Sequence, residues 1–112
     1  MKTDLQFLPL APATLHILLA LAGENLHGYG IMQEVQRQTD GRYRLGPGTL
    51  YDNLSRLMRD NLVDEAAGDD SRRKYYRLTL RGKRVLMAEI ARLETVIRDA
   101  RIHLGKASPG RA

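Results

Sequence analysis

The chain contains no cysteine. That excludes a disulfide framework and a thiolate metal site, and it fits a reducing cytoplasm, the expected location. A secretory signal is missing from the start as well, because Lys2 leads into Thr3 and Asp4 rather than a long apolar run. The longest apolar stretch, Leu15 to Ala22, is broken by His16 and is far too short to span a bilayer, so no membrane partner is expected. His16, His27 and His103 lack metal-ligand spacing, so no metal site is expected either. There is no nucleophile–base constellation, and Gly28 and Gly30 are too few and wrongly placed for a nucleotide loop. The pattern speaks against an enzyme and implies no cofactor.

What is present amounts to one domain of 112 residues. A core this small leaves little margin, and association with a second copy would help it. The net charge of +5 suits a nucleic-acid partner, but it is unevenly spread. Residues 1–80 hold ten Lys/Arg against ten Asp/Glu, whereas residues 81–112 hold eight against three. In the first part only local clusters can meet phosphate: Arg42/Arg44, Arg56/Arg59 and Arg72/Arg73/Lys74/Arg77. A solvated surface is the plain alternative for each, and the preferred one for Arg42/Arg44.

Residues 1–10 read as an arm with Leu5, Phe7, Leu8 and Leu10 able to pack. Pro12 suits a first helical turn, and the helix from there to about Ala22 is apolar nearly all round, hence central. A second helix follows the turn His27-Gly28-Tyr29-Gly30, with Ile31 and Val35 buried, and Thr39-Asp40-Gly41 stops it. Pro47 opens a third helix, about 47–60, with Gly46 as N-cap and Asn61 in the left-handed turn after it. Strands are expected over Leu62–Ala66 and Arg73–Leu78, joined by turn chemistry at Gly68-Asp69-Asp70-Ser71. The second strand should place Tyr76 and Leu78 on one face and Tyr75 and Arg77 on the other. Thr79 can cap a last helix, Leu80 to about Leu104, whose start Gly82 lets approach the core.

The third helix followed by a basic hairpin is the layout of a winged helix-turn-helix. The expected fold is mainly α with a small β-hairpin, plus a long C-terminal dimerisation helix. Its expected parts are residues 1–79 for DNA binding, 80–104 for dimerisation and 105–112 as a flexible tail. At about 100° per residue, Leu50, Leu54, Leu57 and Met58 fall together toward the core. Gly48, Thr49, Asp52, Ser55, Arg56 and Arg59 then face away, with Tyr51 and Asn53 on the shoulders. Thr49, Asp52, Asn53 and Arg56 are the candidates to read base edges. Arg56 can fork onto guanine, and Asp52 can accept from cytosine or orient a neighbouring arginine. Tyr51 can reach a phosphate while its ring packs, and Tyr29 is counted with it. Arg72, Arg73 and Lys74 supply the wing's phosphate contacts, although Asp69 and Asp70 can pair with those arginines instead.

Leu86, Ile90, Leu93, Ile97, Ala100 and Leu104 step by 4, 3, 4, 3 and 4, which is a coiled-coil seam for a homodimer. Glu89 and Glu94 fall on the outer face, near Arg92 and Arg98.

Taken in order, His27-Gly28-Tyr29-Gly30-Ile31, Gly48-Thr49-Leu50-Tyr51 with Leu54-Ser55-Arg56-Leu57, Leu62-Val63, and Arg73-Lys74-Tyr75-Tyr76-Arg77-Leu78-Thr79-Leu80-Arg81-Gly82 resemble the PadR-like transcriptional regulators. The resemblance covers about residues 12–104 and is closest to the compact subfamily with a single C-terminal helix. It implies a winged helix-turn-helix, a homodimer made by the last helix, and usually repression, with small-molecule effectors acting near the dimer interface. Three positions depart from the family pattern: Asp52 where proline is common, Asn61 where glycine is common, and Met58 where glutamate is frequent. The chain has no tryptophan, so the aromatic pair that stacks drugs in multidrug-binding members is absent. The expected function is a homodimeric repressor on a palindromic site in double-stranded DNA, released by an effector at the dimer interface. The rival is a dimeric protein-interaction module with weak or no DNA binding, and a third reading is a basic RNA-associated protein.

Overall fold

The computed structural model describes residues 2–106. A 3-10 turn at Asp4–Phe7 opens the chain, and the Leu8–Pro9 peptide is cis. The helices are α1 (Pro12–Gly23), α2 (Gly28–Gln38), α3 (Pro47–Arg59) and α4 (Leu80–Lys106). The strands are β1 (Leu26–His27), β2 (Val63–Ala66) and β3 (Tyr75–Leu78), in the order β1-β3-β2 and antiparallel throughout.

The punctuation in the sequence explains most of the boundaries. Pro12 and Pro47 stand at first helical positions, where a missing N–H costs nothing. α2 ends where Asp40 and Gly41 take φ of 53° and 74°, and Gly41 N–H returns to Gln36 C=O. Asn61 takes φ 61° after α3, and the chain turns straight into β2. Thr79 Oγ1 accepts from Gly82 N–H at 2.9 Å and donates to Asn61 C=O at 2.7 Å, so one side chain caps α4 and ties it to the end of α3. A Cβ at Gly82 would collide with the carbonyl of Leu62, which is why α4 can start against the sheet.

The core joins Ile17, Leu18 and Leu21 of α1 to Ile31 and Val35 of α2 and to Leu50, Leu54 and Leu57 of α3, closed by Val63, Tyr76, Val85 and Leu86. α1 is apolar nearly all round because it touches α2, α3, α4 and β3 at once.

Several expectations need correction. The third strand, β1, was not foreseen; its two residues pair with Tyr76 and Tyr75 and turn the hairpin into a sheet. Tyr75 is buried as well as Tyr76, because its ring closes over Gly68 and meets His27 edge-on. Leu86, placed in the dimer seam, is 6 % exposed and belongs to this chain's own core, since α4 lies on α1 at that level. Glu89, placed on the outer face, is 1 % exposed and bonded on both oxygens. The tail expected over 105–112 lies outside the described residues, except that residues 105 and 106 extend α4.

Candidate nucleic-acid interface

α3 presents what its wheel requires. Leu50, Leu54 and Leu57 are buried, while Gly48, Thr49, Asp52, Ser55, Arg56 and Arg59 are exposed on the other side. The side chains of Arg56 and Arg59 make no ion pair or hydrogen bond among the described residues, and neither do those of Arg42 and Arg44 in the loop before α3. Their guanidinium groups are solvated and open to a partner with acceptor atoms.

Asn53 does not join them. It is 4 % exposed, its Oδ1 accepts from Thr14 Oγ1 at 2.6 Å, and its Nδ2 donates to Thr49 C=O at 2.8 Å. Buried, and with its carboxamide turned to α1 and to its own helix, Asn53 does not present itself to a base edge. The candidate set for reading bases narrows to Thr49, Asp52 and Arg56.

Tyr29 and Tyr51 frame a cleft of about 510 Å³ with His27, Gly28, Arg73, Lys74 and Tyr76. The Tyr51 side chain crosses from α3 to lie against Gly28 at the start of α2, where a Cβ would strike its hydroxyl. His27 caps α2 by accepting from Gly30 N–H on Nδ1 at 3.0 Å, and Arg73 Nη1 lies 2.8 Å from its Nε2. The cleft therefore joins the N-terminus of α2, the shoulder of α3 and the root of the wing. Phenols, one ammonium and one guanidinium line it, which suits a phosphate oxygen. Burial pushes the Tyr76 phenol pKa up, with Tyr51 and Glu65 adding to the rise, so Tyr76 stays a neutral wall.

The wing is neutralised by its own carboxylates. Arg72 and Arg73 pair with Asp70 at 3.1 and 3.7 Å, Lys74 with Glu65 at 3.4 Å, and Arg77 with Asp64 at 3.0 Å. The last pair sits directly across the strands, where register sets Asp64 against Arg77. The Arg72 hydrogen bond is the main reason that the Asp70 carboxyl lies below the usual carboxylate range. Among the described residues no three His, Cys, Asp or Glu side chains could hold a metal, and no helix is long and apolar enough to cross a membrane.

Beyond Leu86 the apolar stripe of α4 runs off the body. Leu93 is half-buried, and Ile90, Ile97, Ala100 and Leu104 are exposed, with Val96 beside them. The helix is about 40 Å long at 1.5 Å per residue, and its C-terminal half has no described element over this stripe.

Three helices, a β2–β3 wing and an exposed third helix make this a winged helix-turn-helix protein. Residues 17–88 match the transcriptional regulator PadR-like family. The transcriptional regulator Rv3488 of Mycobacterium tuberculosis is 36 % identical over 91 residues, covering 80 % of this chain and 82 % of that protein. A PadR family transcription regulator of Clostridium difficile superposes with a TM-score of 0.70 at 26 % identity, over 84 % of this chain and 99 % of that one. A transcriptional regulator of Clostridium thermocellum shares the fold at a TM-score of 0.69 and 24 % identity, over 89 % and 94 % of the two chains. The chain belongs to the PadR-like family of transcriptional regulators, and it is a regulator rather than an enzyme.

Proposed function

We propose that the protein is a homodimeric repressor that reads double-stranded DNA with α3. The observation that carries this reading is the solvent face of α3, where Thr49, Asp52 and Arg56 stand clear of the body and the Arg56 and Arg59 side chains have no partner among the described residues. A helix in the major groove offers its N-terminal turns to base edges, and Arg56 has the fork that fits guanine O6 and N7. Tyr29, Tyr51, Arg73 and Lys74 hold a phosphate in the cleft beside it, and Arg72 tracks the backbone from the wing.

Residues 2–79 form the reading unit and residues 80–106 the dimerisation helix. The seam begins at Ile90 and continues through Leu93, Ile97, Ala100 and Leu104, where this chain alone leaves the stripe uncovered. Two copies joined there put two α3 helices on a palindromic site, about 34–36 Å apart for one turn of duplex. An effector lodged at the seam changes affinity if it binds one crossing angle better than another.

The rival reading, a module that binds protein rather than DNA, draws on the self-paired wing. Selection of bound duplexes from a random pool decides between them. Recovery of one motif with two inverted halves supports the repressor, and a pool that never departs from its starting composition refutes it.

A further inference from the structure

Two polar side chains are buried among the described residues, Asn53 of α3 and Glu89 of α4. They come from different helices, and both are aimed at the start of α1. Asn53 Oδ1 takes the hydroxyl of Thr14, in the first turn of α1. Glu89 Oε2 accepts from Leu10 N–H at 2.8 Å, just before the N-cap Ala11, while Arg92 Nε holds Glu89 Oε1 at 2.5 Å. A leucine at either place would bury more apolar surface without the desolvation cost of a polar group. What the polar groups add is direction. A hydrogen bond of 2.6–2.8 Å fixes both distance and angle, whereas an aliphatic contact can slide.

We infer that residues 10–14, the lead-in and first turn of α1, are a shared mount for the reading helix and the dimerisation helix, with Asn53 and Glu89 as its positioning residues. Through it the angle between α3 and α4 is fixed, and with that angle the separation of the two reading helices in the dimer. Both side chains are buried within this chain, which leaves them no surface to offer DNA or a partner copy. The inference rests on the DNA-reading dimer proposed above. It also accounts for Asn53 Nδ2 holding the Thr49 carbonyl, since that bond ties the mount to the first exposed turn of α3.

The test is the spacing of half-sites. The double variant Thr14→Val, Asn53→Leu removes donor and acceptor together and leaves neither orphaned. Wild-type protein should prefer one spacing sharply in a pool where the gap between two fixed halves is varied. The variant should melt close to wild type and bind a single half-site within about twofold of it, yet spread over neighbouring spacings and bind the optimal site about tenfold more weakly. Thr14→Ser, which keeps the hydroxyl, should retain the wild-type profile. If the double variant does not fold, Asn53→Ala and Glu89→Leu, each of which removes the acceptor, apply the same measurement from either end of the mount. A folded, dimeric variant with the wild-type spacing profile overturns the inference while leaving DNA reading intact. Failure of wild-type protein to select any duplex overturns both, and it is seen before any variant is made.

Discussion

The proposed reading helix, α3, and the wing both carry arginines and hold them in opposite states. Among the described residues the side chains of Arg56 and Arg59 on α3 are unpaired, whereas on the wing Arg72 and Arg73 share Asp70, Lys74 pairs with Glu65 and Arg77 with Asp64. An exposed pair is worth about 0–1 kcal/mol, so a phosphate can displace Asp70 or Glu65, but the exchange returns little. A charge count along the wing therefore overstates its pull on DNA. α3 should supply affinity that depends on sequence, and the wing a weaker clamp that does not.

Breaking the dimer should have the largest effect, because it separates two such units at once. Leu93→Glu sets a carboxylate in the seam, and sedimentation should report monomers. Loss of the second half-site should cost about a hundredfold or more in affinity for a two-half site. Arg56→Ala comes next, at about 1–3 kcal/mol on a selected site and little on a scrambled one. Equal losses on the two would reassign Arg56 from reader to clamp. Lys74→Ala should weaken all duplexes alike by under about 1 kcal/mol, and Glu65→Gln, which frees Lys74, should tighten all of them slightly. Fluorescence anisotropy on matched and scrambled duplexes measures all three.

The smallest effect lies in acid. Arg84 holds the Asp4 carboxyl below its usual range, with Arg81 assisting. Glu89 is lowered chiefly by the Arg92 hydrogen bond, helped by Leu10 N–H and opposed by burial. A carboxylate whose folded pKa is depressed stabilises the fold fully above its unfolded pKa and loses that contribution as pH falls through the folded value. Thermal unfolding should therefore be insensitive to these groups from pH 8 down to about 5. The melting temperature should drop only in stronger acid, when the arm comes away from α4. α3 has no such carboxylate anchor at its surface, so the drop should be reduced in Glu89→Gln and unchanged in Arg56→Ala.

Much of this was legible in the sequence. Pro12, Pro47, Asn61 and Thr79 mark element ends by local backbone chemistry, which needs no knowledge of neighbours. The apolar side of α3 followed from a wheel for the same reason. What escaped depended on what lies opposite. A wheel puts Asn53 on a shoulder without showing that Thr14 stands across from it, and puts Glu89 beside Arg92 without showing the arm above them both. Leu86 fits the seam's spacing, yet α1 covers it first. β1 was hidden because two residues, Leu26 and His27, are too few for alternation to show. The signal that could have found Asn53 is its place three residues after Leu50 and four before Leu57, on the shoulder next to Leu57 and near enough to the core to be drawn in.

The measurement closest to the central claim is a salt titration of binding to duplex DNA. If α3 and the wing-side cleft meet the phosphate backbone, log affinity should fall linearly with log salt, with a slope of about −0.9 for each phosphate neutralised. A flat dependence, or no binding to any duplex at low salt, would contradict the account and leave the exposed face of α3 to a protein partner.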